Sequence, residues 1–340
     1  MKSNEKLFLT ICSTLGNDIE FIQGAGGNVS VKNGDSLLIK ASGTWLSLAL
    51  TQNVLVDVSR NAVLKIIEQG SEDFSALAQN GLRPSIETPI HALLPQKYVF
   101  HVHHLNTIVH SVLADQSILC QKLAGFEYAT VQYARPGMPL CNALQKAIAG
   151  KQAPVLILQN HGLVVAADTL ADLTALLQNV AERLFLPMRH LPISDVARLC
   201  SVNDLDWTIP TTPTIHASAL DANGLKLCDG LPLYPDHVVF LGPFMGILQE
   251  GETVKSCIAR HNTQYGCEAK CVVVPNAGIL VPNDLSAGAL AMLDALGRIS
   301  LRVPSGQELR RLSATDVNAL GNWDAEKYRQ TLDANKVEKA

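Results

Sequence analysis

The chain has 340 residues, 47% of them hydrophobic and 17% charged, with a formal net charge of -4. That is enough for one large or two ordinary domains with an ample core, and the lack of a basic surplus argues against a nucleic-acid partner. No apolar run reaches membrane-spanning length, because residues 238–248 are interrupted by Gly and Pro.

The opening Met1-Lys-Ser-Asn-Glu-Lys leads straight into an amphipathic pattern and lacks the build of a signal peptide. The eight Cys form no CxxC pair, so reduced thiols and a cytoplasmic location are expected. Residues 5–20 read as a first helix, ending near Gly16 or a few residues later. Gly24-Ala-Gly-Gly-Asn28-Val-Ser30 then forms a glycine-rich turn entering a strand. Glycines there permit positive φ and let backbone N–H groups face an anion. Asn33-Gly34-Asp35 is a hairpin turn, and residues 37–40 return as the partner strand. That strand ends in Ala41-Ser42-Gly43-Thr44, so two small polar turns meet at one end of a hairpin. Lys32 and Lys40 could assist an anion there, although strand alternation could equally leave both in solvent.

Residues 84–104 read as a short helix followed by a strand. On a strand His101 and His103 point to one face, and neutral imidazole is the commonest zinc ligand. His104 alternates to the opposite face and suits a structural role. Glu87 sits one helical turn before His91, which either orients that carboxylate or faces solvent. Residues 128–133 read as a strand, 134–139 as a loop and 142–150 as a helix. Residues 155–165 form a second apolar strand interrupted by Asn160-His161-Gly162, where the glycine lets the backbone bend and a ligand approach. Three histidines with a nearby carboxylate match a catalytic zinc site, which keeps one position open. A long amphipathic helix follows over 170–186, with Asp168-Thr169 near its N-cap.

Residues 187–213 mix Pro, Ser, Thr and Asp around a short helix near 195–199 and read as a linker. Three strands are then predicted over 233–240, 268–274 and 277–281. A helix is predicted over 285–301, another opens at 306–312, and a charged helix starts at 322–329. Pro235-Asp236-His237 is expected to be a turn with a capping Asp.

Gly26-Gly-Asn-Val-Ser30, Ser42-Gly43, Ser85-x-Glu87 with His91, His101-x-His103 and Asn160-His161-Gly162 occur in the order found in the class II aldolase and adducin family, and the chain resembles that family over residues 5–190. The resemblance implies an α/β fold: a three-layer α/β/α domain with a mainly antiparallel central sheet at 1–190. A linker would follow at 191–213, and a smaller C-terminal α/β domain at 214–340. It further implies that His101, His103 and His161 bind one Zn2+ or another divalent transition metal per chain. Glu87 would be the catalytic acid/base, and Asn28, Ser42, Gly43 and Ser85 would line a substrate-phosphate pocket. Tyr128 would act as a proton donor from a neighbouring subunit, which makes a homo-oligomer the expected assembly. The implied activity is aldehyde-lyase cleavage of a phosphorylated ketose or sugar-acid phosphate through a metal-stabilised enediolate. Epimerase, dehydratase and decarboxylase chemistry share such a site, and adducin-like scaffolds share the fold without the metal. Glu87 and three histidines together argue for an enzyme.

Overall fold

The computed structural model describes residues 3–337. Its chain divides into two compact units, one built from the residues up to Ser111 and Asp115–Phe185, the other from Val112–Ala114 and Leu186 onward.

The first unit is organised on seven strands: β1 (Asn28–Asn33), β2 (Ser36–Lys40), β3 (Leu55–Ser59), β4 (Tyr98–Val102), β5 (Tyr128–Val131), β6 (Val155–Leu158) and β7 (Gly162–Ala167). Their order across the sheet is β3-β2-β1-β4-β7-β6-β5. The sheet is mixed, because edge strand β5 runs parallel to β6 while the remaining neighbours are antiparallel. Among the described residues the α-helices that accompany it are α1 (Ser3–Gly16), α2 (Arg60–Glu68), α3 (Thr88–Leu93), α4 (Leu105–Val112), α5 (Ser117–Lys122), α6 (Met138–Ile148) and α7 (Leu170–Leu184). Helix α7 starts where it does because the Thr169 hydroxyl accepts the Asp172 N–H, satisfying one of the donors a helix start leaves open.

Alternation along β4 sorts side chains between the two faces. Phe100 and Val102 pack with Phe8 and Cys12 of α1 and Leu173 and Leu177 of α7. Val99, one residue over, packs with Ile90 of α3 and Leu140 and Leu144 of α6. Helices therefore cover both faces, giving three layers. Phe100 is wholly buried, which contributes roughly 2–3 kcal/mol.

Residues 155–165 do not form one interrupted strand. Strands β6 and β7 are antiparallel partners, and Asn160 and His161 sit in the hairpin turn between them. Asn160 takes φ 54° there, a left-handed value that Asn tolerates better than most residues. Helix α6 begins at Met138, inside the expected loop, because Gly137 at φ 90° turns the chain and Pro139 suits a helical first turn.

The second unit contains α8 (Val196–Val202), α9 (Pro213–His216), α10 (Ala222–Cys228), α11 (Pro235–Leu241), β8 (Gly246–Ile247), α12 (Val254–Tyr265), β9 (Val272–Val274), β10 (Gly278–Leu280), α13 (Ala287–Ser300), α14 (Ala314–Gly321) and α15 (Asp324–Val337). Its strands form a small sheet in the order β10-β9-β8. Residues 233–240, expected as a strand, instead enter helix α11. Pro235 stands at the first helical position with φ already set, and every residue of the helix is buried, so its apolar run has no polar face to reveal the period. Asp236 does not cap a turn: its carboxylate accepts from the Arg329 guanidinium at 3.2 Å. Residues 306–312 are irregular rather than helical. The helix starts later, at α14, where Ser313 and Asp316 form a reciprocal capping box.

Candidate metal centre

Strand β4 delivers the first two histidines. His101 lies within it and His103 one residue beyond its end, so both project to the face that carries Val99. His161 arrives from the β6–β7 turn rather than from a strand. Two glycines make this approach possible. A Cβ on Gly162 would stand 2.5 Å from the Val102 carbonyl oxygen, and one on Gly27, itself at φ 59°, would stand 2.8 Å from the His101 oxygen. Any side chain at either position would push against the backbone that holds the histidines. Gln23 secures the same segment by donating to the His103 carbonyl at 3.2 Å.

The three rings are buried, with centroids 4.8–5.2 Å apart, and one potential ligand atom from each lies within 4.8 Å of the others. Among the described residues this is the cluster of three metal-ligating groups. Bonds of about 2.0–2.1 Å to a tetrahedral zinc place nitrogens roughly 3.3 Å apart, so loading requires only a small closure of the triad. The His101 Nδ1–H donates to the Leu163 carbonyl at 3.2 Å, which turns its Nε2 into the cluster, a common arrangement for a metal-binding ring. The donor set and its burial thus fit a divalent metal.

Glu87 completes the site. It stands just before α3, and its Oε2 lies 3.4 Å from His101 Nε2 while Oε1 lies 3.7 Å from His161 Nε2. Oε1 is buried and accepts no hydrogen bond. Burial pushes this carboxyl upward, but the positive fields of His101 and His161, the Asn28 hydrogen bond and His103 outweigh it and hold the pKa at about 2. Asn28, directly opposite His101 in the β1–β4 pairing, donates its Nδ2 to Glu87 Oε2 at 2.7 Å. Its Oδ1 accepts from His91 Nε2. His91 is fully buried, not solvent-facing, and burial followed by the nearby Lys32 charge presses its pKa well below the usual value. Ser30 Oγ meets the other ring nitrogen at 2.7 Å. Neither Ser30 nor this use of Asn28 was legible in the sequence, where the only signal was the Glu87–His91 spacing.

The other expected residues divide. Ser42 and Ser85 lie on adjoining segments, since Ser42 N donates to Arg83 O at 2.8 Å and Ser85 N to Lys40 O at 3.1 Å. The Ser85 hydroxyl accepts the Glu87 N–H at 3.2 Å. Gly43, at φ 72°, continues the same turn. Lys40 is buried and its Nζ donates to Ala25 O at 2.8 Å, which ties the glycine-rich turn to this corner. Lys32 is buried as well and donates to Gln96 O at 2.7 Å. Asn28, by contrast, spends its side chain on Glu87 and His91. Tyr128 does not join the site within one chain. It shares a cross-strand row with Val155, Val165 and Phe100, which places it on the opposite sheet face from His101, three strands and about 14 Å from β4. His104 is structural, stacked on Phe21 at 5.0 Å and bonded to Thr107 at 2.9 Å. No helix among the described residues is long and apolar enough to cross a membrane.

The family model for the class II aldolase and adducin N-terminal domain matches residues 7–184. An uncharacterized oxidoreductase of Bacillus subtilis, YuxG, is 35% identical over 89 residues, 26% of this chain and 13% of that protein, so the match spans only a small part of the relative. The L-fuculose phosphate aldolase of Methanocaldococcus jannaschii is 23% identical over 202 residues, covering 55% of this chain and 97% of that one. Among solved structures, the N-terminal class II aldolase domain of a Thermoplasma acidophilum protein superposes with a TM-score of 0.46 at 21% identity, over 54% of this chain and 93% of that one. With the family model covering more than half its length, the chain belongs to the class II aldolase and adducin N-terminal domain family.

Proposed function

We propose that the first unit is a metal-dependent lyase that makes or breaks a carbon–carbon bond in a small phosphorylated ketose or sugar-acid phosphate. The observation that carries this reading is the buried triad of His101, His103 and His161 with the Glu87 carboxylate against two of its rings. An adducin-like scaffold has no use for that arrangement. A divalent cation held by the triad supplies Lewis-acid stabilisation of the negative charge that develops beside a carbonyl as such a bond breaks.

The residues of the chain do the rest. Glu87 takes up and returns the substrate proton, with Oε1 as the exchanging atom because Oε2 is held by Asn28. Burial keeps bulk water from competing for that proton. At the far end of the substrate, backbone N–H groups and hydroxyls of the Ser42–Gly43 and Ser85 turns anchor the phosphate, with the Lys40 ammonium behind them, so that binding energy there orients the reacting carbons. The family relationship favours one more contribution, a proton delivered by Tyr128 from a neighbouring copy of the chain.

Metal analysis followed by a sugar-phosphate screen tests the proposal. The purified protein is expected to carry close to one transition metal per chain, and His103→Ala to lose most of it. The loaded protein should release an aldehyde from at least one phosphorylated ketose. Loss of carbon dioxide, water or stereochemistry instead would assign the same site to decarboxylase, dehydratase or epimerase chemistry. A wild-type protein that binds no metal would overturn the reading.

A further inference from the structure

The structure links Glu87, through Asn28, to two side chains that the mechanism above leaves unused, His91 and Ser30. Ser30, His91, Asn28 and Glu87 form one continuous chain of hydrogen bonds, and all four residues are buried. Two come from β1, alternate residues on one face, and two from the segment that becomes α3. The direction of every bond follows from the last. An ionised carboxylate only accepts, so Asn28 must turn its NH2 toward Glu87 Oε2, which leaves Oδ1 facing His91. Oδ1 needs a donor, so the imidazole carries its proton on Nε2. Nδ1 is then an acceptor and takes the Ser30 hydroxyl proton. Reversing the Asn28 amide would set its carbonyl oxygen 2.7 Å from the carboxylate, with like partial charges in contact in a buried site.

We propose that His91, held in its Nε2–H tautomer by Ser30, is a positioning residue that locks the Asn28 amide and thereby fixes which oxygen of Glu87 stays free in the metal site. His91 acts through Asn28. The catalytic value of that placement rests on the reading of Glu87 as proton carrier, whereas the hydrogen-bond lock itself does not, and the experiment separates the two.

Nitrogen NMR of the metal-free and the zinc-loaded protein tests the lock without any substrate. His91 should show a protonated Nε2 and an unprotonated Nδ1 in both, and the Asn28 carboxamide should give two well-separated, exchange-protected proton signals. Ser30→Ala should shift His91 toward a mixture of tautomers. His91→Leu should collapse the Asn28 signal pair, and His91→Gln, whose amide can still donate to Oδ1, should restore it. With a substrate in hand, His91→Leu should lower kcat roughly 10- to 100-fold, less than the roughly 10²–10⁴ of losing a positioned proton carrier itself because His91 acts through Asn28, with KM nearly unchanged and His91→Gln recovering most of the loss. An Nδ1-protonated His91, or Asn28 signals indifferent to Ser30→Ala and His91→Leu, overturns the lock. If the lock is found but Glu87→Gln leaves turnover unchanged, the proton-carrier reading fails while the lock stands. Should His91→Leu fail to fold, the Ser30→Ala measurement alone decides.

Discussion

Glu87 carries opposing forces in a space of a few ångströms. Burial disfavours its charge, while the histidine field and the Asn28 hydrogen bond favour it and prevail. A carboxylate so held is ionised at neutral pH. Replacing it with Gln preserves shape and the volume beside the triad but removes the charge. Glu87→Gln should therefore keep the metal and lower turnover by roughly 10²–10⁴, with metal content measured on the same sample. Unchanged turnover would move the proton to another group, with Tyr128 of a neighbouring copy next in line. The histidine pair was legible because His101 and His103 are two residues apart on a strand, and a period of two is a local fact. The Asn28–Glu87 contact joins residues 59 apart in the chain. It depends on β1 lying beside β4, and strand order leaves no trace in the spacing of either segment.

Elements were legible where their pattern has a polar side and illegible where it does not. Helix α7 alternates buried Leu173 and Leu177 with exposed neighbours and was read within two residues of its observed end. Helix α11 is buried all round and was read as a strand. The 155–165 segment failed for a related reason: both halves of the hairpin are buried, so nothing in hydrophobicity marks the turn, and only Asn160-His161-Gly162 hints at it. That turn puts His161 within reach of the other two rings, and Gly162 makes it fit. Gly162→Ala should cost about 1–3 kcal/mol, the usual range for forcing an extra methyl into a packed site, because the new Cβ would meet the Val102 oxygen at 2.5 Å. The strain falls on the segment joining His101 to His103, so metal affinity should drop together with the thermal midpoint. Gly321→Ala is the control. Nothing lies within 4 Å of that Cβ and no left-handed φ is involved, so both quantities should hold. A Gly162→Ala protein with wild-type midpoint and metal content would show that the turn adapts and that the close approach does not matter.

Across the whole molecule, buried neutral histidines in both units set how the fold responds to acid. In the first unit His110 donates Nε2–H to the Leu184 carbonyl at 3.0 Å, and burial is the main cause of a pKa lowered to about 4. In the second unit His237 is buried in α11, where burial and then Arg311 lower its pKa to about 3. An unfolded chain protonates both rings near pH 6.5. Between that value and the folded pKa, the unfolded state binds more protons than the folded one, so stability rises with pH across this window and falls as the pH drops through it. Each unit of depression corresponds to about 1.4 kcal/mol, and either ring therefore amounts to several kcal/mol once the pH is below its folded pKa. Glu87 acts in the same direction at the acid end. Its lowered pKa contributes stability that is present above the usual carboxylate range and lost as the pH falls toward about 2. Chelator-treated protein should accordingly unfold at progressively lower denaturant concentration from pH 7 to pH 4.5. His110→Gln, which keeps a donor for the Leu184 carbonyl but cannot charge, should flatten the slope between pH 6.5 and 4. Equal slopes in the variant and the wild type would mean that His110 is not the ring that must stay neutral, and a midpoint constant from pH 7 to 4.5 would remove buried histidine as the source of acid sensitivity altogether.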